Sequence, residues 1–129
     1  MCDSDGWVLE GTTANVLIVD PAGKLLTPPA HKVLPGISLG MVRELAQQRG
    51  REVAERDISV ADFSAASEAL LVSTSPCILP VTRLNGRNIG KGQPGEVFHT
   101  LIASWSRAVG IDIVAQASTF ANSAPPIAE

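Results

Sequence analysis

The chain has 129 residues, enough for one domain with a sizeable core and too few for two ordinary ones. Hydrophobic residues make up 45% and charged residues 18%, and the net charge of −3 is spread among scattered Lys and Arg, which argues against nucleic acid or an anionic membrane as the main partner. No apolar run approaches a membrane span, and the N-terminus lacks the basic flank and apolar run of a signal peptide, so the cytoplasm is the expected location.

Trp7 to Glu10 reads as a short strand, followed by Gly11-Thr12-Thr13-Ala14 and a second strand over Asn15 to Asp20. Pro21-Ala22-Gly23 is a hairpin turn, and Lys24 to Thr27 pairs back until Pro28 and Pro29 end it. Pro35-Gly36 predicts a turn, since one residue fixes φ and the other tolerates φ > 0. Ile37, Met41, Val42 and Leu45 then recur at helical spacing up to Gly50. A turn running straight into a helix presents backbone N–H groups and the positive end of the helix dipole, which with the Ser38 hydroxyl suit a phosphate. On Leu34 to Ser38 alone, a phosphate seat and a mere loop before an amphipathic helix both fit.

Arg51 to Arg56 alternates charged with small or apolar residues, as an exposed edge strand does. Ser59 is placed to cap a short helix over Val60 to Ala66, with Asp62 in its first turn. Glu68 to Ser73 reads as a buried strand, broken by Ser73-Thr74-Ser75-Pro76 and resumed over Cys77 to Thr82. Asn85-Gly86 is a two-residue hairpin signal. A last helix spans Glu96 to Val109, with Val97, Leu101, Trp105 and Ala108 on one face and Gly110 as its stop. From Ala115 on, small residues and Pro125-Pro126 read as a loose tail. Strands and helices interleave, with hairpins among the strands, so an α/β or α+β domain with a mixed sheet is expected over residues 1–114, the tail taking 115–129. Cys2 and Cys77 form no disulfide framework, and Cys77 reads as a buried, inert thiol. His31 and His99 lack neighbours at metal-ligand spacing, so no metal site is expected, and with no Tyr and few aromatics no base-stacking platform is either. The helix faces Met41/Leu45 and Leu101/Trp105 are candidates for an apolar docking surface.

Three segments, in order, carry a resemblance: Glu10-Gly11-Thr12-Thr13-Ala14-Asn15 before an apolar strand, Leu34-Pro35-Gly36-Ile37-Ser38 opening a helix, and Val72-Ser73-Thr74-Ser75 followed by Ile78-Leu79-Pro80-Val81. The stretch from Gly6 to Val109 resembles the C-terminal domain of the class IV aminotransferases, the fold-type IV pyridoxal-phosphate enzymes. These include branched-chain and D-amino acid aminotransferases and aminodeoxychorismate lyases, and the segments lean slightly toward the last two. The resemblance implies pyridoxal 5′-phosphate as cofactor, an amino acid as substrate and a homodimer as the assembly. It implies that Glu10 faces the ring nitrogen, that Leu34 packs on the ring face, and that Gly36, Ile37, Ser38, Ser73, Thr74 and Ser75 hold the phosphate. Thr12, Thr13 and Asn15 then line the cofactor side or brace the turn, Asn15 the latter. Leu39 stands where the family often has Arg, and Cys77 where aminotransferases commonly have Glu.

The family's Schiff-base lysine lies upstream of the Glu, but none of the nine residues before Glu10 is Lys. Lys24, Lys32 and Lys91 fall in turns or loops that the family does not use for chemistry. No catalytic residue is therefore assigned within this chain. The expectation is the cofactor-binding half of an aminotransferase or lyase, whose partner is a missing N-terminal domain or a second chain. The rivals are a non-catalytic remnant or subunit that pairs with a lysine-bearing partner, and a plain phosphate-binding module that only shares the fold.

Overall fold

The computed structural model describes residues 1–123. Its elements run β1 (Trp7–Val8), β2 (Asn15–Val19), β3 (Leu25–Thr27), a 3-10 turn (Ala30–Lys32), α1 (Ile37–Gln47), β4 (Val53–Glu55), β5 (Ile58–Ser59), α2 (Val60–Ala65), β6 (Glu68–Ser73), β7 (Cys77–Val81), β8 (Arg83–Leu84), β9 (Arg87–Asn88), α3 (Glu96–Val109) and α4 (Ile113–Ser123). The main sheet has the order β4-β3-β2-β6-β7. Its neighbours are antiparallel except β3 and β4, which are parallel. Parallel neighbours need a long crossover, and α1 supplies it. The result is the mixed sheet packed with helices that the sequence leads one to expect.

Strand alternation divides the interior between the two faces of this sheet. Leu17, Val19, Leu25, Leu70 and Val72 point to the face covered by α1 and α3, where they meet Leu39, Val42, Leu45, Leu101, Ile102 and Trp105. Val16, Ile18, Leu26 and Ala69 point the other way, onto Ile58, Phe63, Ala66 and Ile89. The Met41/Leu45 and Leu101/Trp105 faces thus pack together on one side of the sheet, Met41 half-buried and the other three buried, and are not an exposed docking surface. Exposed large apolar side chains lie elsewhere, at Leu34 and Ile37 and along the C-terminal segment from Val109 to Phe120.

Local signals account for most element ends. Ser59 and Asp62 form a reciprocal capping box on α2. Asn85 (φ 49) and Gly86 (φ 78) make the tight turn of the β8–β9 hairpin. Gly110 ends α3 in the left-handed conformation (φ 70). Two expectations change. Ile37 is not on the buried stripe of α1, which runs through Ser38, Leu39, Val42, Leu45 and Ala46. It is 92% exposed although Ser38 and Leu39 beside it are buried, because it lies on the opposite side of the helix from Leu39, Val42 and Ala46, which face the sheet. The supposed loose tail is helical as α4, where Asp112 Oδ1 accepts the Ala115 N–H at 2.9 Å, although the helix buries no side chain. The rest of that tail, 124–129, lies outside the described residues. Among the described residues, no helix is long and apolar enough to cross a membrane.

Candidate functional site

The site forms at one end of the sheet, and strand register puts it there. Asn15 at the start of β2 pairs with Val72 near the end of β6, so the turn before β2 and the turn after β6 lie side by side. The first turn is closed by the Gly11 N–H donating to the Ala14 carbonyl at 2.7 Å, with Glu10 and Asn15 bridged across it. Directly opposed residues present their side chains on the same face. Both reach the same residue of the next segment. Leu34 N–H donates to Glu10 Oε2 at 3.1 Å, and Asn15 Nδ2 donates to the Leu34 carbonyl at 2.9 Å.

Gly36 follows as the N-cap of α1 with φ −72 and ψ 128, an extended residue rather than the left-handed one the turn reading suggests. Glycine is required there for space. A Cβ on Gly36 would overlap Asn15 Oδ1. Lacking a side chain, Gly36 also gives α1 no capping group. The other helices begin against side-chain acceptors: α2 with the Asp62 N–H donating to the Ser59 hydroxyl at 3.0 Å, α4 with the Ala115 N–H donating to Asp112, and α3 with the Val97 and Phe98 N–H groups donating to Glu68 at 2.8 and 2.9 Å. The first turn of α1 opens instead onto a cavity. The turn after β6 closes with Ser73 opposite Cys77, whose φ of 59 is the left-handed residue a three-residue hairpin loop calls for. Cys77 is half-buried, and desolvation pushes its thiol pKa above the usual value.

The cavity, of about 180 Å³, brings together Glu10, Thr12, Thr13, Asn15, Leu34, Gly36, Ile37, Ser38, Ser73 and Thr74. Of the expected set, Ser75 alone is outside the lining, exposed at the tip of its turn. Gly11, Ala14 and Val72 also line the cavity and were not singled out. All three belong to the segments that carry the resemblance, and that membership is the signal that could have pointed to them. Leu34 is 72% exposed, so the ordinary reading of a leucine as core does not hold for it.

The lining contains no lysine. Lys24 follows the β2–β3 turn, where its backbone N–H donates to Asp20 at 2.8 Å. Lys32 is paired with Asp57 at 2.7 Å and lies 3.7 Å from Asp3. The hydrogen bond to Asp57 raises its pKa and keeps the ammonium charged. Lys91 lines a separate cleft with Glu68 and His99.

The family model for amino-transferase class IV matches residues 1–84. The chain belongs to the class IV aminotransferase family. A branched-chain-amino-acid aminotransferase-like protein of Arabidopsis thaliana is 39% identical over 101 residues, which are 78% of this chain and 18% of that protein. A D-alanine aminotransferase of Bacillus licheniformis is 32% identical over 91 residues, covering 70% of this chain and 32% of the relative. The crystal structure of an aminotransferase from Brucella abortus bound to the cofactor PLP superposes with a TM-score of 0.75 at 27% identity, over 84% of this chain and 38% of that one. The chain thus spans 18% to 38% of the length of the proteins it matches here. The branched-chain relative is the more similar of these two curated proteins, against the slight lean of the motifs toward the D-amino acid branch.

Proposed function

We propose that this chain is the cofactor-binding part of a class IV aminotransferase, or of a lyase of the same family, acting on amino acids, and that its cavity holds pyridoxal 5′-phosphate. One observation carries the reading: three segments far apart in sequence, around Glu10, Leu34 to Ser38 and Ser73-Thr74, share one cavity. The residues fit the parts of the cofactor. The uncapped first turn of α1, with the Ser38 and Thr74 hydroxyls, suits a dianionic phosphate. The exposed Leu34 side chain suits a ring face, and the Glu10 carboxylate suits a protonated ring nitrogen. The Brucella abortus neighbour, which holds PLP on this fold, supports the same choice.

When bound, pyridoxal phosphate supplies an electron sink for chemistry at an amino acid's α-carbon. The residues of this chain bind and orient. Glu10 holds a proton at the ring nitrogen, with one carboxylate oxygen already fixed by the Leu34 N–H. Ser38, Thr74 and the backbone of α1 fix the phosphate end, while Leu34 and Ile37 keep water from the ring face. Thr13 and Ser73 complete the polar lining. The lysine that anchors the cofactor and carries the α-proton comes, in this reading, from sequence outside these 129 residues, in the same protein or in a second chain, and the whole enzyme is a homodimer. A second reading, a non-catalytic chain that pairs with a lysine-bearing partner, draws on the placement of all three lysines away from the cavity.

The test is titration of the purified chain with pyridoxal phosphate, followed by cofactor absorbance. Saturable binding at one site, competed by inorganic phosphate and reversed by dialysis, is expected. No saturation into the millimolar range refutes the reading. Adding the lysine-bearing half in trans separates the two versions: transamination returns if this chain is the enzyme's own part, and stays absent if it is a non-catalytic subunit.

A further inference from the structure

We infer that Asn15 is the positioning residue of this site, setting where the first turn of α1 stands relative to Glu10. The inference rests on the cofactor reading above and adds how the phosphate seat is held. Asn15 is 6% exposed, a nearly buried amide at the start of the central strand, anchored by its pairing with Val72. Each end of the amide has a separate task. Nδ2 donates to the Leu34 carbonyl at 2.9 Å, the last acceptor before Pro35. Pro35 has no N–H to tie the turn down, so a side-chain donor takes that place. Oδ1 fills the space where a Cβ of Gly36 would lie, so the amide and the glycine at the head of α1 are mutually fitted.

Glu10 belongs to the same clamp. Its Oε2 accepts the N–H of Leu34, the residue whose carbonyl Asn15 holds. The carboxylate and the helix start are therefore referred to one backbone residue, gripped at both its polar groups. Asn15 touches the phosphate only through α1. Its loss lets the helix start drift, while the cavity keeps its hydroxyls.

The experiment uses the purified chain with three probes: inorganic phosphate, pyridoxal phosphate and phosphate-free pyridoxal. Asn15→Ala removes one hydrogen bond and is expected to lower affinity for both phosphate-bearing probes by about three- to tenfold. Gly36→Ala is expected to do the same in the presence of Asn15, and to cost little further affinity in the Asn15→Ala background, where Oδ1 is gone. Affinity for pyridoxal is expected to change less than threefold throughout. Thermal melts establish that each variant is folded at the assay temperature. If Asn15→Ala is not, Asn15→Ser in its place allows the same cycle. Failure of the unaltered chain to bind either phosphate probe overturns the cofactor reading. Binding by the unaltered chain with the same affinity in Asn15→Ala, or fully additive losses in the double variant, overturns the role of Asn15 alone.

Discussion

Replacing Ser38 by Ala separates the phosphate seat from the fold. Ser38 is buried in the first turn of α1 and lines the cavity. A hydrogen bond from a hydroxyl to a charged group contributes about 1.5–3 kcal/mol, so affinity for pyridoxal phosphate should fall by roughly 10- to 150-fold. Stability should move little and in the other direction, because Ala is favoured over Ser in a helix by about 0.5 kcal/mol. The assay pairs a binding titration with a urea melt of the same preparation, repeated with pyridoxal. A folded variant with unaltered affinity would place the phosphate elsewhere. An equal loss for pyridoxal, which has no phosphate, would show that Ser38 acts on the ring end or on the cavity as a whole, and the assignment would fail.

Thr74→Ala, at the opposite segment of the same cavity, should give a loss of similar size, again confined to phosphate-bearing probes. Glu68→Ala removes the acceptor of the Val97 and Phe98 N–H groups at the head of α3 and should lower stability by about 2 kcal/mol, seen as a shifted urea midpoint at unchanged slope. Cofactor affinity should stay as it was, since Glu68 is outside the cavity. The Asp62 pKa lies below its usual 3.8, held down by the Ser59 hydroxyl, then by the Ser59 N–H and the charge of Arg56. A depressed carboxylate stabilises the fold above its unfolded pKa, and that contribution is lost as pH falls through the folded value. Asp62→Asn should therefore flatten the acid limb of a stability–pH curve below about pH 4 and leave the neutral region less stable. Borohydride reduction of the chain with pyridoxal phosphate should leave no stoichiometric adduct on Lys24, Lys32 or Lys91. One such adduct, with turnover of an amino acid, would show that a lysine of this chain does the chemistry.

Features governed by neighbours in sequence were legible without coordinates. The strand over 68–73 stands where its apolar run put it and the helix over 96–109 where periodicity did, and the Asn85-Gly86 hairpin and the Gly110 stop follow from turn chemistry. Ser59 and Asp62, three residues apart, announce a cap because the hydrogen bonds that make it span one helical turn. The motif segments around Glu10, Leu34 and Thr74 were recognisable too, and it was their resemblance to a known family, not any local pattern, that assigned them to one cofactor.

Tertiary structure decided what those stretches do together. β5 exists because Ile58 and Ser59 meet β1, some fifty residues back, and two residues alone carry no strand signal. Ile37 shares helical spacing with Met41 and Leu45, yet the sheet takes the side centred on Val42, and the residue is left bare at the cavity. Ser75 shares its hydroxyl chemistry with Ser73 and Thr74 but is carried away by the turn that Cys77 closes. Gly36 looked like a conformational glycine and is a steric one, since its constraint comes from the Asn15 side chain packed against it rather than from its own φ. The cavity itself depends on the pairing of Asn15 with Val72. A one-residue slip in that register would turn every side chain of β2 to the other face of the sheet, and no local pattern within either strand specifies which partner it takes.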